Sequence, residues 1–209
     1  MKKFKYIYFE KLNVTIKNKI IFFFLFIFLN LYIFNLNFVF SQERSNFNQS
    51  SLVESLLDQL ELSSDQNISK KLKDKIWSIW NYNFKNENAG KFFFLAMKHL
   101  NQGNLIMAEM LLSKSIQKDP LYTEARNKRA LIKFLKEDFE GSEKDLLLVL
   151  QYQKRHFGAI YGLGLIYIEN EKYLDAIKQF EKLKKIDPMN EENRKILFKL
   201  ENEFVGKKI

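Results

Sequence analysis

Between residues 51 and 204 the apolar residues recur at three- and four-residue spacing, the mark of helices with one oily face. Leu52, Val53, Leu56, Leu57 and Leu60 make the first stripe. A polar turn over 63–67 separates it from a second, in which Leu72, Ile76, Ile79 and Trp80 align. From residue 89 the pattern repeats with a period of 34. Small residues fall in register at Ala96, Ala130 and Gly164, and again at Ala108, Ser142 and Ala176. Large ones fall in register at Leu105, Phe139 and Tyr173, and at Leu112, Leu146 and Phe180. Pro120 and Pro188 stand two periods apart. The units are 89–122, 123–156 and 157–190, without insertion, and a last stripe of Ile196, Leu197, Leu200 and Phe204 predicts a helix over 193–204.

Each unit reads as two helices joined by a short polar turn. Small residues sit where antiparallel helices approach closely, because a larger side chain there costs ~1–3 kcal/mol of overpacking. Asp119-Pro120 and Asp187-Pro188 end the second helix of a unit, since proline lacks the N–H and disfavours α geometry just before it. The middle unit has Lys154 instead and a less sharply specified stop. The predicted fold is all-α: a right-handed α-solenoid of three helix pairs, with an N-terminal helical hairpin over 51–88 and a polar-backed capping helix and tail over 191–209. Ser51-Leu52-Val53-Glu54 reads as a capping box opening the hairpin. Trp80 is expected to pack on the first unit, and 42–50 to form a flexible tether.

These residues resemble the tetratricopeptide repeat (TPR). The third unit matches through Ile160, Leu163, Gly164, Tyr167, Tyr173, Ala176, Phe180 and Pro188, the first through Phe92, Leu95, Ala96, Ala108, Leu112 and Pro120. The middle unit departs at Arg126 and Arg129, where the pattern is apolar. The arrangement is also similar to small exported bacterial TPR proteins, through Ile76-Trp77-x-x-Trp80, Asn127-Lys128-Arg129-Ala130 and Arg155-His156-Phe157-Gly158-Ala159. That group is defined by location and architecture rather than by an activity.

Ahead of the repeats, 1–19 carries six lysines against Glu10, and 20–40 is uncharged and almost wholly apolar. With Val39-Phe40-Ser41 following, 1–41 reads as a secretory signal peptide cleaved after Ser41. The other reading is an uncleaved anchor, since 21 apolar residues can span a bilayer as a helix. Either places the repeats outside the cytoplasm: in the periplasm, or held at the inner membrane. The chain carries a net charge of +9, of which this segment supplies five. What remains does not call for nucleic acid, and membrane contact is expected only through 20–40 if it is retained.

Cysteine is absent, so thiolate chemistry is excluded, and two histidines, His99 and His156, are too few for a multi-histidine metal centre unless carboxylates supply the other ligands. No nucleophile, Walker, Rossmann or zincin motif is present, so no catalytic residue, cofactor or metal is implied. The reading is a non-catalytic scaffold for a protein or peptide partner, not an enzyme; its alternative is a membrane-anchored assembly factor for an envelope complex. The repeat pattern implies a concave groove lined by Phe93, Met97 and Asn101 from the first unit, Asn127, Leu131 and Phe134 from the second, and Tyr161 and Leu165 from the third. The competing reading is that several of these pack on the hairpin. The Lys/Asn/Arg clamp of chaperone-tail binders is missing: its places hold Phe93, Met97, Gly158 and Gly162. Lys128, Arg129, Arg155 and His156 form a candidate basic patch whose bland reading is a solvated face. His99 is expected in the core, and His156 as a helix cap.

Overall fold

The computed structural model describes residues 28–29, 31–32 and 49–205. The chain divides into two compact units, 1–51 and 52–209. In the first, the described residues are helical. Apart from 28–29 and 31–32, the signal peptide or anchor over 1–41 lies outside the described residues, as does most of the tether. Among its described residues the second unit has helices as its regular secondary structure, joined by short turns: α1 (52–61, a helix already under way at residue 49), α2 (Gln66–Asn81), α3 (Glu87–Asn101), α4 (Leu105–Lys118), α5 (Thr123–Leu135), α6 (Phe139–Tyr152), α7 (Phe157–Glu169), α8 (Tyr173–Ile186) and α9 (Glu191–Leu200). Because α1 is helical before Ser51, that serine does not open it as a capping box.

The 34-residue period survives in the coordinates. α5, α7 and α9 begin at Thr123, Phe157 and Glu191, and α4, α6 and α8 at Leu105, Phe139 and Tyr173. Within each unit α3 pairs with α4, α5 with α6 and α7 with α8; α4–α5, α6–α7 and α8–α9 contacts then stack the units. The turn inside each unit reaches a left-handed backbone at one register position: Gly103 (φ 75°), Glu137 (φ 61°) and Glu171 (φ 56°). Asn104 and Asp138 then cap α4 and α6 by accepting the N–H of Met107 and Gly141.

Ala96, Ala130, Ala108 and Ala176 are fully buried, as close helix approach requires. Their partners vary in size together: Ala96 shares a cluster with Leu112 and Ala130 with Leu146, whereas Gly164 faces Phe180. A Cβ on Gly164 would stand 2.7 Å from the Phe180 ring. After α9 a single π-helical turn, Glu201–Val205, carries Phe204 onto Tyr173, ring centroids 3.7 Å apart.

The α1–α2 hairpin does not stack ahead of α3. Val53, Leu56, Leu57, Leu60, Ile76 and Trp80 share one core with Phe157, Ile160, Phe180, Leu183, Leu197 and Leu200 of the third unit and α9. Trp80 therefore packs at the junction of the second and third units, not on the first. α2 runs against the order of the stack. Near its start, Ser69 Oγ and Lys73 Nζ donate to Asp187. Midway, Trp77 and Trp80 meet His156 and Phe157. At its end, the Asn81 carbonyl accepts the Tyr122 hydroxyl, and beyond it Asp119 accepts the backbone N–H of Lys85. Asp119 and Asp187, the residues before the two prolines, thus both tie down the N-terminal segment.

Candidate functional site: the inner groove

The groove face begins at the first turns of α5 and α7, and α2 lies across both. Glu124 and His156 are both fully buried there. His156 caps α7: its Nδ1 accepts the Ala159 N–H at 3.1 Å, so the ring proton sits on Nε2 and is donated to Glu124 Oε2 at 3.1 Å. Lys128 Nζ approaches the other Glu124 oxygen at 3.1 Å, and Asn127 Nδ2 adds a 3.3 Å contact. Burial by itself would raise the Glu124 carboxyl; the His156 hydrogen bond and the Lys128 charge outweigh it and hold the group below the usual carboxylate range. The Lys128 ammonium also lies 4.5 Å from the Trp77 ring centroid. Gly158 leaves the space that Trp77 fills, since a Cβ there would stand 2.6 Å from the indole.

The expected groove residues therefore separate into two groups. Phe93 is 1% exposed, packed against Tyr122 with ring centroids 5.1 Å apart, and does not face a partner. Asn127 is 8% exposed and engaged with Glu124, so its amide is not free for a ligand backbone. Tyr161 and Leu165 are half-buried on the core that the hairpin shares with the third unit, and the Tyr161 hydroxyl donates to Glu192 at 2.7 Å. Met97 and Phe134 are half-buried, Asn101 is exposed, and Leu131 is 44% exposed. Leu135, one turn beyond Leu131, is 52% exposed. It was missed in the sequence because it ends its helix, although its i,i+4 spacing from Leu131 marks the same face.

The candidate basic patch is consumed internally. Lys128 and His156 hold Glu124, and Arg129 makes a two-pronged pair with Asp145 at 2.7 and 2.8 Å. Arg155 reaches Glu54, Asp58 and Glu61 on α1 at 2.6 to 3.2 Å. His99 is half-buried, and its Nδ1 finds no partner. A cleft of about 580 Å³ opens between the starts of α2 and α9, but its Lys70, Lys73 and Lys195 alternate with Glu191 and Glu192. It prepares no field of one sign for a ligand.

Repeat, helix pairing and small-residue register together give this chain the tetratricopeptide-repeat fold. No protein-family model matches the chain. A TPR repeat-containing protein of Rhizobium etli is 24% identical over 152 residues, covering 73% of this chain and 74% of that protein. The first TPR of Spaghetti (RPAP3), solved with an HSP90 peptide, superposes with a TM-score of 0.56 at 21% identity, over 59% of this chain and 98% of that one. The Arabidopsis OM64 TPR domain gives 0.55 at 14% identity, covering 56% and 98%. The Sgt2 TPR domain from Aspergillus fumigatus gives 0.52 at 16%, covering 57% and 80%.

Proposed function

We propose that this protein is a non-catalytic interaction scaffold that takes an extended peptide or an amphipathic helix on the open part of its groove. Met97, Asn101, Leu131, Phe134 and Leu135 form that part. The observation that carries the reading is the exposure of Leu131 and Leu135, 44% and 52%, on the inner helix of the middle unit. Everything nearer the start of that helix on the same face is sealed by α2. The first and second TPR domains of RPAP3 have been solved with HSP90 and HSP70 peptides, which supports peptide binding as a use of this fold. The chemistry differs here: the open stretch is apolar and lacks the cationic clamp, so the partner offers an apolar stripe rather than a carboxylate tail. Against catalysis stands the His156–Glu124 pair, which is fully buried and out of reach of any substrate.

A photo-crosslinking residue placed at Leu131 or Leu135 in cells should capture a discrete protein that the same residue at Leu174, exposed on α8, does not. Identical products at all three positions would end the groove assignment.

Export through 1–41 to the periplasm is the location we propose. The uncleaved reading, an inner-membrane assembly factor, draws on the 21-residue length of the apolar run. N-terminal sequencing separates the two: a mature start at Gln42 supports release, and an intact Met1 supports the anchor.

A further inference from the structure

The free end of the stack supplies a second surface, independent of the groove. In the second and third units, Ala125 with Ile132 and Ala159 with Ile166 are completely buried. Ala125 and Ile132 pack on the outer helix α4 with Leu111 and Leu112, and Ala159 and Ile166 pack on α6 with Leu146 and Val149. At these two register positions the first unit has Lys91 and Lys98, both exposed. A preceding helix cannot seat there, because each close-contact position carries a long, charged side chain. Between the lysines, on the same face of α3, Phe94 is 39% and Leu95 43% exposed. Tyr82, 63% exposed, lies against Phe94 with ring centroids 5.0 Å apart. Neither lysine is ion-paired among the described residues.

Aromatic and aliphatic side chains framed by lysines whose stems can lie flat and whose ammonium groups reach outward match a bilayer surface. A second copy of the same face would bring Lys91 and Lys98 against their counterparts. A lipid surface needs no close helix approach and supplies the opposite charge. We propose that the Lys91–Phe94–Leu95–Lys98 face of α3, with Tyr82, rests on a membrane rich in anionic phospholipid. The expectation that membrane contact is confined to 20–40 then gives way to a second contact within the repeat domain.

Because the chain has no cysteine, a single one can report on this face. Full-length protein carrying Leu95→Cys, or separately Phe94→Cys, is labelled with an environment-sensitive fluorophore and reconstituted into vesicles. Glu181→Cys, on an exposed position of α8, is the control, and circular dichroism checks that each variant is folded. In phosphatidylglycerol-containing vesicles the labels at 95 and 94 should shift to the blue and be quenched by spin-labelled lipid. The label at 181 should do neither, even where 20–40 is retained and holds every variant at the membrane. Pure phosphatidylcholine, or the pair Lys91→Glu and Lys98→Glu, should abolish the shift, while Leu131→Ala should leave it intact. A label at 95 that stays aqueous in anionic vesicles overturns the proposal. So does one already sheltered before lipid is added, which would place protein on this face.

Discussion

The imidazole of His156 lies flat on the indole of Trp80, ring centroids 4.0 Å apart and planes 12° apart. One ring ends the second unit, where it caps the first helix of the third, and the other belongs to the N-terminal hairpin. The stack closes a fully buried site in which the same imidazole caps α7 and donates to Glu124. The hairpin is thus built into the fold rather than laid over it, and the groove that remains open is the part it does not reach.

Trp80→Ala should destabilise the protein by about 3–5 kcal/mol, the usual loss on truncating a buried aromatic. Trp80 is 2% exposed, whereas Trp77 is only half-buried, so Trp77→Ala should cost less. Chemical denaturation of the two variants compares them directly. Equal losses would mean that the stacked ring is not the main fastening of the hairpin.

Acid should unfasten the same region. Glu124 and Asp145 are both held below the usual carboxylate range: burial opposes this in each, while His156 and Lys128 for the first, and Arg129 and Lys133 for the second, prevail. A carboxyl depressed in the folded state stabilises it at pH values above its unfolded pKa, and that contribution is lost as pH falls through the folded value. Stability should therefore decline from about pH 4 downward, the range where unfolded carboxylates take up protons. Glu124→Gln with Asp145→Asn should lower stability at pH 7 and flatten the acid limb of a stability–pH curve. An unchanged acid limb in the double variant would assign the effect to other groups.

The left-handed turn positions predict a gain. A non-glycine residue in that conformation costs roughly 1–2 kcal/mol, which glycine avoids. Glu137→Gly and Glu171→Gly should each raise stability by about 1 kcal/mol, less whatever the more flexible unfolded chain takes back. Gly103→Ala, the reverse change in the same register, should lower it. Thermal unfolding of the three variants decides the matter, and a loss on either glutamate replacement would count against strain at that turn.

Gly164 and Phe180 should behave as a coupled pair. Gly164→Ala alone should cost about 1–3 kcal/mol from overpacking against the ring. Combined with Phe180→Leu, which recreates the Ala–Leu match of the first two units, the alanine should cost markedly less than in the parent. A double-mutant cycle measures the difference. Strict additivity would show that the two residues do not share the space the structure assigns them.

The stack itself was legible before any coordinates. Ala96, Ala130 and Gly164 in register, with prolines at two-period spacing, specify hairpins that bury their faces on their nearest neighbours. Such contacts are short in sequence, so they leave a period. His156 as a cap was legible for the same reason, standing immediately before its helix. The candidate site was legible only in part. Leu131 and Met97 could be placed on the inner face by repeat position, but whether that face would be open there could not. Phe93 and Asn127 carry the same positional signal and are sealed.

What the linear order of residues determined by itself was the repeating unit, its phase and the residue that each position demands, because those depend on interactions within one turn or one neighbouring helix. Only the tertiary structure decided where the hairpin goes. Ser69 meets Asp187, Trp80 meets His156 and Tyr122 meets Asn81 across long separations, and contacts made once leave no repeating trace. That path, chosen by the burial of Leu56, Leu57, Leu60, Ile76 and Trp80 against the third unit, decides which part of the groove is left open.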